Sequence, residues 1–331
     1  MEFSLIICTY MRPKPIFDLL DSVKKQTKYP DQIIIVDGST NTKTKEALGN
    51  YKYANLEYHL VENTQRGLTK QRNFGISKAT KEIICFLDDD IILTPTYFEE
   101  LIRSYDKFPN AIGVGGYIIE DITWRKIGNG IPATYKEYEF DGYARTLGSR
   151  NVLRKRLGLL STQQPGVMPE FSNGLSISFL PPSNKIYEVE HFMGGVSSFK
   201  RSLFEQIQFS EHFEGYGLYE DSDFCLRASK LGSLYVNTAA KLYHYHDEGG
   251  RPNRFNYGKM VTRNGWYIWR LKYVHPSFKA RLKWNLIVIL LLILRFLNIF
   301  TTKDKKKAFT EAIGRFAGWI GLLFSKTQIK R

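Results

Sequence analysis

The sequence predicts an α/β fold in which a mainly parallel sheet is flanked by helices. Residues 1–120 alternate short apolar runs with amphipathic segments, and this rhythm is typical of parallel βαβ units. The run at 83–87, within KEIICFLDDD, is continuous, is rich in β-branched and aromatic residues, and ends in three carboxylates. Because such a run is typical of a strand buried on both faces, we expect it at the centre of the sheet.

The other elements follow from the same two patterns. Apolar runs predict strands at 4–8, 33–36, 56–61 and 112–119, and amphipathic segments predict helices at 16–23, 43–48, 68–79 and 95–105. The first helix repeats apolar residues at helical spacing from Ile16 to Val23. Thr94 and Pro95 suit the N-cap and first position of the last one. Short connections between such elements specify right-handed crossovers.

The regular alternation stops near residue 120. Residues 121–190 are irregular, with aromatic clusters and a basic run at 150–156. A segment of this length between core elements usually acts as a lid or an inserted subdomain. We therefore expect a main domain at 1–270 that carries 121–190 as an acceptor-side insertion or lid, followed by a helical tail at 271–331.

The positive charge of the chain is concentrated in this tail. The chain has 47 Lys and Arg against 33 Asp and Glu, a net charge of +14, of which residues 271–331 carry +11. Basic residues beside apolar segments favour an anionic membrane surface over nucleic acid. The three cysteines lie in apolar contexts, which favours reduced thiols in the cytoplasm. The first residues also lack the basic n-region of a signal peptide.

Two apolar segments of the tail are expected to be helical. The first, at 284–300, would be about 25 Å long, slightly short of a hydrocarbon core of about 30 Å. If it crossed the membrane and the second segment, at 308–324, returned, the lysines at 303–307 would lie outside, against the positive-inside tendency. An in-plane arrangement at the cytoplasmic face is therefore favoured. A spanning pair, a single span and a buried hairpin of a soluble protein remain open.

Carboxylates follow the predicted strands. Asp88, Asp89 and Asp90 lie at the end of the central strand, and ligands of open α/β sheets bind at this edge. Hard oxygen ligands suit Mg²⁺ or Mn²⁺, although an acidic turn before a helix is the alternative. Glu220 and Asp221 open a later helix, where the helix dipole alone could account for them.

The motifs form an ordered set. They are SLIICTYMRP, IIIVDGS, GLTKQRNFGISKATKEIICFLDDD, MGGVSSFKR, YEDSDFCLRASKLG and LYHYH, and they cover residues 3–246. This set resembles the family 2 glycosyltransferases. The resemblance implies a Rossmann-like GT-A fold, inverting transfer from a nucleotide sugar, and dependence on a divalent metal.

The resemblance also implies a nucleotide-sugar site. Its expected residues are Thr9, Asp37, Arg72, Asp88, Asp89 and Gly195. Thr9 and Asp37 would line the pocket for the base and ribose, and Arg72 would contact the base or the phosphates. Because Asp37 is compatible with uracil, a UDP-sugar is the favoured donor.

A metal site is implied beside it. Asp88 and Asp90 would form the DxD-type motif that binds Mn²⁺ or Mg²⁺, and His244 would be a late ligand of the metal or the phosphates. His246, two residues later, is the alternative to His244.

Asp221 matches the general base of the family. Glu220 is less favoured, because two neighbouring side chains at a helix start should point apart. The QxxRW motif of processive members has no counterpart, since KMVTRNGWYIWRLKY occupies that region. Transfer of a single sugar to a glycan or lipid-linked acceptor is therefore expected, in the synthesis of a surface polysaccharide or glycolipid.

Two other functions are alternatives. A sugar nucleotidyltransferase uses a related fold and metal, but CTYMRP stands where its Gly-rich loop is expected. A non-catalytic binding protein on the same fold is the other alternative. Arg251, Arg254 and Arg263 could contact a diphosphate or lie on a solvated helix face.

Overall fold

The computed structural model describes residues 1–49, 52–128, 131–213, 215–245 and 252–324. These residues form two compact units, Met1–Glu120 with Pro182–Arg251 and Asp121–Pro181 with Pro252–Arg331. The domain boundary expected at residue 270 and the insertion expected at 121–190 stay predictions.

Strands and helices alternate along most of the chain. In order they are β1 (Phe3–Thr9), α1 (Pro13–Lys24), β2 (Gln32–Asp37), α2 (Lys43–Gly49), β3 (Leu56–Leu60), α3 (Leu68–Lys78), β4 (Ile83–Asp88), β5 (Ile91–Leu93), α4 (Tyr97–Lys107), β6 (Ala111–Ile118), β7 (Trp124–Lys126), β8 (Glu137–Phe140), β9 (Tyr143–Thr146), α5 (Ser149–Arg156), β10 (Ile186–Val189), β11 (Val196–Lys200), α6 (Glu220–Ala228), β12 (Ser233–His244), α7 (Arg254–Lys272), α8 (Phe278–Thr301) and α9 (Lys305–Phe324).

The first unit is built on one mixed sheet. Its strand order is β10-β12-β6-β11-β4-β1-β2-β3, and β5 pairs with β12. Strands β3, β2, β1 and β4 are parallel neighbours, as the alternation of strands and helices predicts. Strand β11 is antiparallel to both β4 and β6. The predicted α/β fold is thus confirmed, with antiparallel strands added beyond β4.

The central strand, β4, is buried, as its composition predicts. Ile83, Ile84, Cys85 and Phe86 on β4 are at most 1% exposed. Apolar residues of α1 and α4 pack with alternate residues of β1, β2 and β4 in one core cluster. Burial on both faces explains why this run lacks polar alternation, and it fixes the position of the carboxylates that follow.

The start of α4 differs from the sequence prediction. The helix begins at Tyr97, so the expected start at Pro95 was wrong by two residues. The Thr94 hydroxyl donates to the Lys241 carbonyl of β12 at 2.7 Å instead of capping the helix. Thr94 directly follows the short strand β5, which pairs with β12 and which the sequence pattern did not reveal.

The second unit contains a small sheet and three long helices. Its sheet has the order β7-β9-β8. Helices α7 and α9 approach closely at glycines: a Cβ on Gly258 would lie 2.2 Å from the Glu311 carbonyl oxygen, and one on Gly314 would lie 2.1 Å from that of Phe255. Among the described residues, α8 is the one helix long and apolar enough to cross a membrane by length and composition.

Candidate active site

The carboxyl ends of β1, β2 and β4 meet at one edge of the sheet. The strand register places Thr9 beside Asp37 and Cys8 beside Asp88. The turn after β4 carries Asp89 and Asp90. The structure therefore brings together the predicted residues of the first three motifs, as the parallel arrangement requires.

Asp88, Asp90 and His244 form a candidate metal site. Each offers one ligand atom, and the three atoms lie within 4.8 Å of one another. The pairing of β5 with β12 places His244 opposite Ile91, so that its Nε2 lies 3.0 Å from Asp90 Oδ1. Two carboxylates and an imidazole fit a divalent cation. His246 lies outside the described residues.

The charge state of His244 reflects these carboxylates. Burial lowers the pKa of His244, but the hydrogen bond to Asp90 and the charges of Asp88 and Asp90 outweigh burial, so that the pKa is raised. The imidazole is thus held by the carboxylates with which it would share a cation.

Gly195 lies directly against Asp88. Its carbonyl oxygen accepts a hydrogen bond from the Asp88 amide at 3.0 Å. A Cβ on Gly195 would lie 2.0 Å from Asp88 Cγ, so the Asp88 side chain would have to move. The residue at 195 must lack a side chain for Asp88 to keep this position.

We expect Gly195→Ala to lower kcat/KM for sugar transfer at least tenfold, because the methyl group displaces the Asp88 carboxylate. The same change should weaken Mn²⁺-dependent binding of UDP in calorimetry. Gly142→Ala is unsuitable as a control because its φ is +77°, whereas Gly148→Ala meets no atom within 4 Å and should leave both readouts unchanged. Wild-type UDP affinity in the Gly195→Ala protein would contradict this role.

Arg72 and Glu220 form a buried ion pair behind the metal site. Arg72, on α3, contacts Glu220 and lies with its Nη2 3.5 Å from Asp88 Oδ1. Both residues are at most 5% exposed. Burial raises the pKa of Glu220 to about 8, although the Arg72 guanidinium lowers it. Gly194 leaves room for this pair, since a Cβ there would lie 2.6 Å from Arg72 Nη1 and 2.7 Å from Glu220 Oε1.

Asp221 is oriented differently from Glu220. It is partly exposed, and its Oδ1 accepts a hydrogen bond from the Ser222 amide at 2.7 Å. Asp223 is buried and paired with Arg227 at 2.6 Å. Within the described part of the chain, Asp221 is therefore the one of the three acids opening α6 whose carboxylate is accessible and makes no ion pair. This agrees with the expected divergence of Glu220 and Asp221.

Asp89 points away from the metal site. Its Oδ2 accepts a hydrogen bond from Thr9 Oγ1 at 2.6 Å, and its Oδ1 lies 2.6 Å from Arg12 Nη2. Burial raises the pKa of Asp89 to about 7, while Arg12 and Thr9 lower it. Asp89 thus holds Arg12 and Thr9, and its expected contact with the nucleotide stays a prediction.

Asp37 is also fully buried. Its Oδ2 accepts a hydrogen bond from the Tyr58 hydroxyl and its Oδ1 accepts one from the Ser39 amide, both at 2.7 Å. Both oxygens therefore have protein partners. Its expected role beside the base, like that of Thr9, stays a prediction.

Sequence reasoning missed Arg12. The guanidinium contacts Asp89 and lies with Nη1 3.4 Å from Asp90 Oδ2. A signal was present, because Arg12 lies in the turn after β1 and therefore at the same edge of the sheet as the carboxylates. Of the three later arginines, Arg254 and Arg263 lie on α7 in the second unit, and Arg251 lies outside the described residues.

Comparison with known proteins places this chain in a family. Residues 4–207 match the family model described as Glycosyl transferase family 2, and residues 176–247 match one described as N-terminal domain of galactosyltransferase. Among solved structures, GalNAc-T7 with UDP, GalNAc and Mn²⁺ aligns with a TM-score of 0.51 and 17% identity, over 80% of this chain and 48% of that one. At this identity the likeness concerns the fold.

Three curated relatives are 24–28% identical to this chain over the matched residues. Glucosyl-dolichyl phosphate glucuronosyltransferase of Haloferax volcanii is 28% identical over 38% of this chain and 41% of its own length. GalNAc(5)-diNAcBac-PP-undecaprenol beta-1,3-glucosyltransferase of Campylobacter jejuni is 24% identical over 73% of this chain and 64% of its own. Amylovoran biosynthesis glycosyltransferase AmsB of Erwinia amylovora is 26% identical over 80% and 72%. The match thus spans less than two thirds of the first two relatives.

Proposed function

The chain belongs to glycosyl transferase family 2, and we propose that it transfers one sugar from a nucleotide-diphosphate sugar to an acceptor hydroxyl, with inversion at the anomeric carbon. The observation that carries this proposal is the convergence of Asp88, Asp90 and His244 at the edge of the sheet. A UDP-sugar is the favoured donor.

The candidate metal site suits this chemistry. Asp88, Asp90 and His244 would hold Mn²⁺ or Mg²⁺, which when bound neutralises the charge that grows on the departing diphosphate. Arg72 lies beside Asp88 and would contact the phosphates on the protein side. Its ion pair with Glu220 holds the guanidinium in place. The planar arrangement of its N–H groups suits phosphate oxygens.

Asp221 would act as the general base. As the acceptor oxygen forms its bond to C1, the bond from C1 to the diphosphate oxygen breaks and the acceptor proton passes to the Asp221 carboxylate. The nucleoside diphosphate leaves on the opposite face, so a single displacement inverts C1. The partial exposure of Asp221 leaves it accessible to an acceptor.

A screen of nucleotide sugars tests the proposal. With Mn²⁺ present, the right donor should raise Tm, because a ligand that binds only the folded state stabilises it. EDTA should remove the shift, and an acceptor should then release the nucleoside diphosphate. Release of pyrophosphate from a nucleoside triphosphate and a sugar phosphate would instead favour a nucleotidyltransferase.

We also propose that α8 and α9 attach the protein to an anionic membrane surface at the cytoplasmic face. Large exposed apolar side chains are concentrated on these helices: Phe278, Leu282, Leu286, Ile293, Leu297, Phe300, Phe309, Phe316 and Phe324. At 3.6 residues per turn, the six on α8 fall within a sector of about 100°. We call these six residues the α8 stripe. Basic residues lie in the first turns of α8 and at the beginning of α9.

The polar residues of α8 support an in-plane arrangement. Arg295 pairs with Glu311 of α9 at 2.6 Å, and Asn285 accepts a hydrogen bond from Trp319 Nε1 at 2.9 Å. Helix α9 also packs against α7 at Gly314 and Gly318, and α7 carries several charged residues. A crossing hairpin would have to carry this charged helix with it, which is costly in hydrocarbon.

Replacing Leu297 by glutamate should weaken binding to vesicles of phosphatidylglycerol at least tenfold in co-sedimentation. The physical reason is the lost burial of a leucine, worth about 1.5–3 kcal/mol, together with repulsion from anionic lipid. Leu231→Glu is the matched control, because Leu231 is also exposed but lies in the first unit. Equal vesicle binding by Leu297→Glu and wild type would contradict attachment through the α8 stripe.

Labelling tests whether α8 and α9 lie in the plane of the membrane or cross it. A cysteine placed at Lys305 should react with an impermeant maleimide only from the cytoplasmic side. Labelling from the outer side would favour a spanning helix.

A further inference from the structure

Arg154 is a buried cation without a counter-ion among the described residues. Its side chain is on α5 and the residue is 9% exposed. Its one hydrogen bond runs from Nη1 to Asn151 Oδ1 at 3.5 Å, and its Nε has no hydrogen-bond partner. A guanidinium does not lose its proton in proteins, so this buried positive charge persists and is costly unless an anion pairs with it.

Other arginines of the second unit contact carboxylates or aromatic rings. The buried Arg145 donates to the Ser178 carbonyl oxygen and lies over the rings of Trp124 and Phe179. Arg125 makes two hydrogen bonds to the Glu137 carboxylate, each of 2.9 Å. Arg295 and Arg315 both contact Glu311. Among the described residues, Arg154 has neither a carboxylate partner nor an aromatic ring against its guanidinium, so an anion from outside the chain would pair its charge.

Arg150 lies one turn before Arg154 on the same face of α5. Arg150 is exposed. The burial of Arg154 and the nearby charge of Arg150 both lower the pKa of Arg154. Like charges at this spacing destabilise a helix. The basic side chains at the end of α5 could simply complement the helix dipole, but dipole interactions would not require Arg154 to be buried.

The position of α5 indicates where the anion comes from. Lys283 of α8 donates to the Gly158 carbonyl oxygen just after α5 at 3.0 Å. The two arginines are therefore near the beginning of the α8 stripe, where Lys279 and Arg281 are also exposed. An anion bound there would be within reach of a membrane surface.

We propose that Arg150 and Arg154 form a binding site for a phosphate group. Two guanidinium groups one helical turn apart match the several acceptor oxygens of a phosphate, which each guanidinium can contact through two N–H groups. Bound phosphate pairs the buried charge of Arg154 and removes its repulsion with Arg150. The phosphate is either that of a lipid headgroup, including a lipid-linked acceptor, or a free phosphate or diphosphate.

This inference rests on the proposed function in one respect, which is that a phosphate-bearing lipid bound here would be the acceptor of the sugar. The binding itself is measured without sugar transfer. Phosphate binding without transfer would leave the site standing and refute the proposed function, and transfer without phosphate binding would do the reverse.

Thermal unfolding of the full chain tests the site. In buffer without phosphate, Arg154→Met should raise Tm, because an unpaired buried charge is replaced by an apolar side chain of similar length. Pyrophosphate should raise the Tm of wild type above that in chloride of equal ionic strength. Arg154→Met should abolish this rise, and Arg150→Met, a change at an exposed position, should reduce it.

Vesicles distinguish the two sources. Wild type should bind vesicles with a phosphomonoester lipid, phosphatidic acid, more tightly than vesicles of phosphatidylglycerol with equal surface charge, and Arg154→Met should lose this preference. Arg156→Met, on the exposed side of the same helix, serves as the control. If pyrophosphate acts and the vesicle preference is absent, the ligand is a free phosphate. If Arg154→Met retains both effects, or wild type shows neither, the proposal is overturned.

Discussion

Asp221→Asn is expected to lower kcat for sugar transfer by roughly 10²–10⁴-fold, the usual contribution of a general base. The amide keeps the size and the hydrogen bond from the Ser222 amide, but it cannot take the proton of the acceptor hydroxyl. The affinity for the nucleotide sugar should change little, since the base acts on the acceptor. Single-turnover transfer and calorimetric donor binding measure the two effects separately.

Asp106→Asn is the matched control for this change. Asp106 is an exposed carboxylate at the end of α4, so its replacement should leave both kcat and donor affinity unchanged. Normal turnover by Asp221→Asn would refute the role of Asp221. The base would then have to be sought elsewhere, because Glu220 is engaged with Arg72.

Asp90→Ala should have an effect of similar size by a different route. It removes one of three ligands and the partner that orients His244. Loss of cation-assisted stabilisation of several kcal/mol corresponds to a decrease in kcat/KM of about 10³-fold. Unlike Asp221→Asn, this variant should also lose the Mn²⁺-dependent part of UDP binding, which calorimetry at several Mn²⁺ concentrations resolves.

Asp21→Ala provides the comparison for Asp90→Ala. The Asp21 side chain is 59% exposed and lies on α1, away from the strand ends that form the site. Its loss should affect neither UDP binding nor catalysis. If Asp90→Ala binds UDP with undiminished dependence on Mn²⁺, the cation lies elsewhere and the candidate metal site is wrong.

Local sequence patterns predicted the parallel half of the sheet because the information there is local. The run at Ile83–Asp88 shows both its burial and its end, and parallel strands bring their ends together without further assumptions. The divergence of Glu220 and Asp221 was likewise foreseeable from helix geometry.

The contacts that could not be predicted depend on partners distant in the sequence. Strand β5 has three residues and exists because β12 pairs with it, and this pairing sets the distance from Asp90 to His244. Burial of Arg154 is a similar case. A basic run such as 150–156 suggests a solvated helix, and only the packing of the second unit shows that one of its arginines is enclosed.

The glycine contacts between α7 and α9 have a practical consequence for preparing the protein. A truncation before Lys305 would remove α9 and expose the backbone of α7 where Lys259 lies against Gly318. The exposed groove would favour aggregation. Preparations without detergent should therefore retain α9. Polar replacements at Phe278 and Phe300, the most exposed large apolar residues of α8, should increase solubility.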